Sequence, residues 1–304
     1  MSSIFLPYLQ SIEPDAQFTF NLPVITSSTG KRYYAKVGSP GEKDQYAGEA
    51  ESLRAIFEAA PGLAPRLLAT GTTGNDARSG AGNPFFLSEY MDIGGLTIQT
   101  AELLGERLAK ELHTFKSPNG FGFAVQTYCG ATRQDNGWFS TWEECFSTMV
   151  ENLLQKLPSE RRYAELLNKG EEVRKRVVPW LLRPLVIDPV LLHGDLWSGN
   201  TGIDRKTGQP VIFDPSSYYG HGEADLAIAR MFGGIPNSFF AAYHKQMPKT
   251  EPVQQYNLRG DLYELYHYLN HTVLFGGGYA SSALQKMNKL LRACPQYSDH
   301  SQLP

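Results

Sequence analysis

Two apolar runs, about two-thirds of the way along the chain, each lead into polar residues that could do chemistry. The first run leads into His193-Gly194-Asp195-Leu196-Trp197-Ser198-Gly199-Asn200, and the second leads into Asp214-Pro215. Phosphoryl transfer from a nucleotide needs a carboxylate beside the attacking hydroxyl, and carboxylate or amide oxygens that hold Mg²⁺ against the phosphates. Asp195 suits the first role, whereas Asn200 and Asp214 suit the second.

The spacing within the first segment matches a kinase catalytic loop. Four residues separate Asp195 from Asn200, as in the pattern H-x-D-x-x-x-x-N, with Gly194 where protein kinases carry arginine. Asp and Asn also favour turns for conformational reasons alone, so loop shaping is the alternative interpretation. The joint occurrence of the loop, the apolar runs and the Asp214-Pro215 step favours catalysis.

The composition is that of an ordinary globular protein. The chain has 304 residues, of which 41% are hydrophobic and 19% charged, which is enough for two modest lobes or one large domain. A formal net charge of −3 gives no general electrostatic reason to bind nucleic acid or an anionic membrane. We found no membrane-span or signal-peptide pattern, so we expect a cytoplasmic protein. Three scattered cysteines predict neither a disulfide framework nor a zinc site.

The first third of the chain predicts a small antiparallel sheet followed by a helix. Strand-like segments fill residues 18–37, with turn formers at Ser27–Gly30. Lys36 lies in the last segment, where a charged side chain either extends from the sheet edge into water or points at a ligand. Glu49 lies in the first turn of a helix predicted over about Tyr46 to Ala59, where acids are also favoured by the helix dipole. A strand lysine and a helix glutamate together are what a kinase uses to hold nucleotide phosphates.

Near Asp92 the residue pattern changes from strand-like to helical, which predicts a boundary between two lobes. Before it, residues 84–91 form a predicted strand whose end, Glu89 to Met91, is either an adenine-contacting hinge or simply the end of a buried strand. After it, apolar periodicity predicts helices, including one over Ala164–Leu182. An aromatic and glycine-rich segment, Ser117–Gly137, is a pocket-lining segment or an ordinary ordered loop. We therefore predict an α+β fold with a sheet-based lobe over residues 1–92 and a mainly helical lobe over residues 93–304.

Taken together, these residues resemble the fructosamine/ketosamine 3-kinase family, one of the protein-kinase-like small-molecule kinases, with aminoglycoside and choline kinases as relatives. The resemblance runs from about Tyr33 to Leu291 and is carried by four segments: His193–Asn200, Asp214–His221, Ala227–Gly234 and Ser238–His244. It implies a two-lobed fold that transfers the γ-phosphoryl group of ATP to the 3-hydroxyl of a ketosamine, often on a lysine of a glycated protein. The phosphorylated adduct then releases the free amine, which initiates deglycation.

The resemblance also implies a role for each matching residue. Lys36 would hold the α- and β-phosphates, Glu49 would orient Lys36, and Glu89, Tyr90 and Met91 would form the adenine hinge. Asp195 would be the general base, and Asn200 and Asp214 would bind Mg²⁺. His193 would support the loop, whereas Trp197 either contacts the sugar or buttresses the loop.

One departure from the family pattern motivates a competing hypothesis. Family members carry glycines in the loop that covers the phosphates, yet Ile12–Thr29 contains none. Backbone N–H groups approach phosphates most closely where glycine removes the Cβ atom, so this loop must cover ATP differently. The alternative is an inert nucleotide-binding pseudokinase that acts by interaction.

The sequence does not determine the oligomeric state, and it leaves alternatives for the acceptor substrate. Only eight residues lie between Asp214 and a predicted helix beginning near Glu223, which is too short for the activation segment of a protein kinase. A kinase for another small hydroxyl substrate, such as an aminoglycoside or choline, is a further alternative. The sequence also leaves the preferred sugar undetermined.

Overall fold

The computed structural model of the protein describes residues 2–74 and 82–295. The elements before residue 92 are α1 (Ser2–Ile12), β1 (Phe18–Asn21), β2 (Val24–Ser27), β3 (Arg32–Val37), α2 (Lys43–Ala59), β4 (Leu67–Thr72) and β5 (Pro84–Glu89). No helix within these described ranges combines the length and apolarity needed to span a membrane.

The elements after residue 92 are mainly helices. The strands are β6 (Ile93–Gly94), β7 (Phe121–Gly122), β8 (Thr127–Cys129), β9 (Thr132–Gln134), β10 (Trp138–Phe139), β11 (Val190–Leu192), β12 (Thr201–Asp204), β13 (Pro210–Ile212) and β14 (Tyr218–Gly220). The helices are α3 (Ile98–Lys110), α4 (Trp142–Lys156), α5 (Ala164–Glu172), α6 (Val178–Leu182), α7 (Glu223–Met231), α8 (Asn237–Gln246), α9 (Tyr256–Phe275) and α10 (Gly278–Ala293).

The predicted amino-terminal sheet is present and has five antiparallel strands in the order β1-β2-β3-β5-β4. Side chains alternate along a strand, so the two faces of β3 contact different partners. Tyr33 and Ala35 join Phe5 and Leu9 of α1 in one apolar cluster. Lys36 therefore faces the other side of the sheet, where α2 packs.

The pairing of β6, the first strand after Asp92, supports our proposal of a lobe boundary near that residue. The five-stranded sheet ends with β5, whereas β6 pairs with β12, a strand more than one hundred residues later. Beyond it, α3, α4, α7 and α9 share one large apolar core that includes Leu104, Phe146 and Leu265. The structure thus has the α+β architecture that the sequence predicted.

Two segments differ in detail from what the sequence indicated. Ala164–Leu182 is helical throughout, as predicted, but it is not one regular α-helix, because a π-helical turn at Val173–Val177 separates α5 from α6, and Pro179 lies in the first turn of α6. Proline removes a backbone donor and clashes with the preceding turn, so a regular helix cannot continue through it. Ser117–Gly137, for which the sequence left a pocket-lining segment and an ordered loop as alternatives, contains β7, β8 and β9.

A buried ion pair joins α7 to α9. The fully buried Arg259 guanidinium donates to both carboxylate oxygens of Glu223, at 2.8 and 3.0 Å. It also donates to the carbonyl oxygens of Thr250 and Pro252, at 2.6 and 3.0 Å. Four of the five N–H donors of this cation therefore have a partner, and such hydrogen bonding together with the paired carboxylate is what allows the charge to be buried.

Removing Arg259 should destabilise the protein strongly. Arg259→Leu leaves the Glu223 carboxylate buried without its cation, so we expect the free energy of unfolding to fall by about 3–5 kcal/mol. The matched control is Arg162→Leu, which removes a surface ion pair with Glu160 and should cost less than about 1 kcal/mol. Urea unfolding of both variants measures the difference, and equal costs would contradict the role assigned to the buried pair.

Candidate active site

Six of the residues singled out in the sequence line one cleft of about 350 Å³. They are Lys36, Glu49, Asp195, Trp197, Asn200 and Asp214. The cleft lies between the β3–α2 region and the segments that follow β11 and β13. Gln45, Tyr128, Gly130 and Pro215 complete its lining. Residues that are far apart in the chain are thus brought to one place with three carboxylates and one amine.

Lys36 and Glu49 form a two-pronged ion pair on one side of the cleft. The Lys36 ammonium lies 2.8 and 2.7 Å from the two Glu49 carboxylate oxygens. Burial disfavours the charged lysine, but the Glu49 carboxylate outweighs it and raises the pKa of Lys36. The ammonium is therefore held charged and fixed in direction, as a cation that contacts phosphate oxygens must be.

Close packing and a hydrogen bond fix the position of α2, which carries Glu49. A Cβ atom on Gly48 would lie 2.3 Å from the carbonyl oxygen of Gln126, so only glycine permits this approach. One turn further along α2, Ser52 Oγ accepts a hydrogen bond from the Ser217 backbone N–H at 3.1 Å. The helix is thereby attached to the segment that follows Asp214.

Asp195 and Asn200 contact each other directly. Asn200 Nδ2 donates to the Asp195 carbonyl oxygen at 2.9 Å and to Asp195 Oδ2 at 3.1 Å. Burial raises the pKa of Asp195 to about 6, although hydrogen bonds from Cys129 and Asn200 oppose the rise. A carboxylate with such a pKa is mostly ionised at neutral pH and can still accept a proton, as a general base requires.

His193 lies beneath the loop rather than in the cleft. Its side chain is fully buried, and its Nδ1 accepts a hydrogen bond from the Asp195 backbone N–H at 3.2 Å. On the other side of the ring, Nε2 donates to the Phe213 carbonyl oxygen at 3.0 Å. Burial also lowers the pKa of His193, which keeps the ring neutral and compatible with both bonds. These contacts support a loop-bracing role and leave no surface for substrate.

Sequence reasoning missed Asp225, a buried residue in the first turn of α7. Its carboxylate accepts hydrogen bonds from the backbone N–H groups of His193, at 2.7 Å, and Gly194, at 2.9 Å. It also lies 3.2 Å from His113 Nε2. Burial raises the pKa of Asp225, but the hydrogen bonds from His113 and the loop outweigh burial and keep the pKa low. An acid at a helix start is usual for dipole reasons, so the sequence carried no separate signal.

Gly194 is required by this arrangement. Its φ of +84° lies in the left-handed region, and a Cβ atom there would lie 2.0 Å from the Ser216 carbonyl oxygen. Glycine adopts that conformation without strain and leaves room for the neighbouring backbone. The glycine at the arginine position of protein kinases therefore has a geometric reason in this chain.

Asp214 has a strained backbone. In the described part of the chain it is the only non-glycine residue with positive φ, at 53°. Such a conformation costs on the order of 1 kcal/mol or more and persists where the surroundings impose it. Asp214 follows β13 by two residues and lines the cleft in this conformation.

The oxygens of Asn200 and Asp214 fit a magnesium ion. Since Asn200 Nδ2 is committed to Asp195, the amide presents its oxygen as the remaining group, and Asp214 adds a carboxylate in the same cleft. Mg²⁺ in phosphoryl-transfer sites is bound by one or two such protein oxygens together with phosphates and water.

Glu89, Tyr90 and Met91 lie outside this cleft lining. Glu89 ends β5, where its backbone N–H donates to the Arg66 carbonyl oxygen at 3.0 Å. The Tyr90 ring lies 4.2 Å from the Arg32 guanidinium carbon. The segment joins the two parts of the chain, and its contact with adenine stays a prediction.

The glycine-free segment before Lys36 has a simple structural explanation. Asn21 pairs with Val24, so β1 and β2 are joined by a turn of two residues, Leu22 and Pro23. No long loop extends from this hairpin over the cleft. Instead, the β8–β9 hairpin contributes Tyr128 and Gly130 to the cleft, and Gln45 Nε2 donates to the Gly130 carbonyl oxygen at 3.4 Å. The sequence indicated that residues 117–137 could line a pocket, but not which ones.

Comparison with known proteins gives a consistent result. A family model described as fructosamine kinase matches residues 18–293. A chloroplastic protein-ribulosamine 3-kinase of Arabidopsis thaliana is 39% identical over 252 residues, which cover 81% of this chain and 72% of the relative. A mouse ketosamine-3-kinase is 35% identical over 286 residues, which cover 85% of this chain and 88% of the relative. Among solved structures, a Haemophilus somnus protein described as a fructosamine-3-kinase has a TM-score of 0.74 at 19% identity, covering 94% and 96%.

The raised pKa of Asp195 predicts a pH-dependent gain in stability for Asp195→Asn. Because the folded-state pKa is about 6 and the ordinary value 3.8, the native wild type binds more protons than the unfolded chain between these values. Its stability therefore falls as pH rises through that window, and the full penalty is present above pH 6. Asparagine removes the penalty, so in the ligand-free protein we expect a gain of about 1–3 kcal/mol above pH 7 and almost none near pH 4.

Urea unfolding across pH 4–8 measures this gain. The exposed Asp15→Asn is the control, and its difference from wild type should not vary in the same way. Two outcomes would show that burial of the ionised Asp195 carboxylate does not destabilise the fold. One is a stability difference between Asp195→Asn and wild type that stays constant with pH, and the other is a variant that is less stable than wild type above pH 7.

Proposed function

The chain belongs to the fructosamine kinase family, and from this premise we propose that it is an ATP-dependent ketosamine 3-kinase. It phosphorylates the 3-hydroxyl of fructosamine or ribulosamine adducts of amines and so initiates deglycation. The observation that carries the proposal is the cleft in which the Lys36–Glu49 pair faces Asp195, Asn200 and Asp214. One side of the cleft suits phosphates and the other suits a hydroxyl.

On the donor side, the charged Lys36 contacts the α- and β-phosphate oxygens of ATP. Glu49 holds the ammonium in that direction through both carboxylate oxygens. Positioning and charge stabilisation account for most of the catalysis in phosphoryl transfer, so a fixed cation is more effective than a mobile one. The backbone of Glu89 to Met91 contacts the adenine ring, where the chain passes between the lobes.

On the acceptor side, Asp195 accepts the proton of the 3-hydroxyl. As that oxygen forms its bond to the γ-phosphorus, the bond from the γ-phosphorus to the β–γ bridging oxygen breaks and ADP leaves. Asn200 and the buried His193 hold Asp195 in place, through the side chain and the backbone respectively. Trp197, in the same lining, contacts the sugar or buttresses the loop.

Magnesium completes the proposed site. When bound by Asn200 and Asp214, it would neutralise the charge on the phosphate oxygens. The two-residue β1–β2 turn leaves this charge without a covering glycine loop, so Lys36 and the cation carry more of that task than in kinases with such a loop.

The main competing hypothesis is an inert pseudokinase. Its motivation was the absence of glycines before Lys36, which the short β1–β2 turn explains without loss of any charged group. The complete set of one lysine, one asparagine and three acids in a single cleft favours the active enzyme. The curated relatives are named for ketosamine and ribulosamine phosphorylation, which favours these acceptors over choline or an aminoglycoside.

We further propose that the enzyme acts in the cytoplasm on small ketosamines and on glycated lysines of proteins, without a nucleic-acid or membrane partner. The cysteines Cys129, Cys145 and Cys294 are all free and buried, which suits a reducing compartment. The chain's net charge of −3 supports no attraction to polyanions.

A panel of acceptors tests the proposed function directly. ADP release with Mg·ATP should require a fructosamine or ribulosamine derivative of lysine. Free fructose, free ribose, choline and an aminoglycoside should give only background rates. Turnover with choline or the aminoglycoside, and none with either ketosamine, would overturn the proposal.

Asp195→Asn should separate catalysis from nucleotide binding. Losing the base should lower kcat for the ketosamine by about two orders of magnitude or more, while the Kd for ATP changes little. Steady-state kinetics and calorimetric titration with ATP measure the two effects. A near-normal kcat would remove Asp195 from the mechanism.

Asp214→Asn should weaken the use of Mg·ATP instead. Replacing a charged ligand by a neutral one lowers the affinity for the cation, so we expect the Mg²⁺ concentration for half-maximal rate to rise about tenfold or more. The exposed Asp15→Asn is the control for a general charge effect. An unchanged Mg²⁺ dependence would show that Asp214 does not bind the metal.

A further inference from the structure

A row of aromatic rings leads from the cleft across the surface of the carboxy-terminal region. We name it the aromatic row, and it consists of Trp197, Phe232, His271, Phe275 and Tyr279. Ring centroids are 5.9 Å apart for Trp197 and Phe232, 4.9 Å for Phe232 and His271, and 5.7 Å for His271 and Phe275. Tyr279 lies 5.0 Å from His271 and 6.0 Å from Phe275. Each ring therefore contacts the next.

Much of this apolar surface is open to solvent. Trp197 is 37% exposed, Phe232 39% and Phe275 68%. Exposed large apolar side chains that stand singly need no explanation, but contiguous ones usually mark a binding surface. The proposed catalytic roles, and the contacts that support them, give no reason for the presence of Phe232, Phe275 and Tyr279.

The aromatic row is continuous with the cleft through Trp197, which is part of the cleft lining two residues beyond Asp195. The far end of the row is also close to the cleft, because Leu274, the neighbour of Phe275, approaches Gly130, another lining residue. A Cβ atom on Gly130 would lie 3.1 Å from Leu274 Cδ1. A molecule that leaves the cleft past Trp197 therefore meets the row.

His271 adds a polar position to this surface. Its Nδ1 lies 2.8 Å from the His267 carbonyl oxygen, so Nδ1 carries the proton and donates it there. Burial lowers the pKa of His271, which favours the neutral ring. In that tautomer Nε2 is an acceptor, and among the residues that the structure describes it has no hydrogen-bond partner.

The structure of a ketosamine determines which part of the substrate would lie next to the aromatic row. The nitrogen is attached to C1, two carbons from the reacting C3 hydroxyl, so the amine-bearing part begins close to Asp195 and continues out of the cleft. For a glycated lysine that part is an apolar methylene chain followed by a peptide backbone. Its secondary amine is a cation at neutral pH, and aromatic faces attract cations.

We propose that the aromatic row binds the peptide around a glycated lysine and favours peptides with aromatic or large aliphatic side chains next to that lysine. This inference rests on the proposed function, and it concerns the part of the substrate beyond the sugar. Phe275 and Tyr279 contact the flanking side chains, and His271 Nε2 accepts a hydrogen bond from a peptide N–H. The row thus makes protein-bound adducts better substrates than adducts of small amines.

Three acceptors and two variants test the inference. The acceptors are the fructosamine of methylamine and two glycated peptides of equal charge and length, in which the lysine is flanked by phenylalanine or by serine. The double variant Phe275→Ser/Tyr279→Ser removes the outer rings. Ile98→Ser is the matched control, because Ile98 is a similarly exposed apolar residue, at 63%, and is outside the aromatic row. Thermal unfolding checks that all variants are folded.

For the wild type we expect kcat/KM for the phenylalanine-flanked peptide to exceed that for the serine-flanked peptide by about five- to tenfold. The double variant should reduce this ratio to near one through KM, with the rate on the methylamine adduct unchanged, and Ile98→Ser should keep the ratio. A ratio near one in the wild type would overturn the inference, as would a ratio that survives in the double variant or an equal loss on the methylamine adduct. If the wild type phosphorylated none of the three acceptors, the proposed function itself would fail, and this inference with it.

Discussion

The geometry of the cleft depends on the hydrogen bonds that the buried carboxylate of Asp225 accepts. A charged group in the interior is tolerated only when hydrogen bonds replace its lost hydration, and here two backbone N–H groups of the loop and His113 do so. Gly194, one of the two backbone donors to Asp225, adopts a left-handed conformation and packs against the Ser216 carbonyl oxygen, where a Cβ atom would not fit. Asp195, the next residue, is then directed into the cleft. The ion pair of Glu223 with Arg259 fixes the helix start from which Asp225 projects.

The same cleft concentrates features that reduce stability. Asp214 is held at a positive φ, and burial raises the pKa of Asp195 to about 6. In the absence of ligands neither feature benefits the fold, and both suit a site that must present a carboxylate to a metal and another to a hydroxyl. Packing elsewhere compensates, with the apolar core around Leu104, Phe146 and Leu265 and the α2 contacts at Gly48.

Much of the fold could be predicted because local pattern and tertiary structure agree. The strands around Lys36 and the helix with Glu49 were predicted from periodicity and turn residues, and the spacing of Asp195 and Asn200 indicated a kinase loop. Asp225 could not be identified, because its partners are backbone groups about thirty residues earlier and its position at a helix start is unremarkable in sequence. The π-helical turn before Pro179 and the short strands within residues 117–137 were missed for a related reason. Their stability comes from tertiary contacts and not from local preference.

The central claim is that this cleft transfers the γ-phosphoryl group of ATP to the 3-hydroxyl of a ketosamine. The most direct measurement is ³¹P NMR of the reaction with Mg·ATP and a fructosamine of lysine whose 3-hydroxyl oxygen alone is ¹⁸O. We expect a new phosphomonoester signal that is shifted upfield from the signal given by the unlabelled substrate, because ¹⁸O bonded directly to phosphorus shifts its resonance. A phosphomonoester signal without this isotope shift would mean that another hydroxyl is the acceptor, and no transfer despite measurable ATP binding would mean that the protein is not a ketosamine kinase.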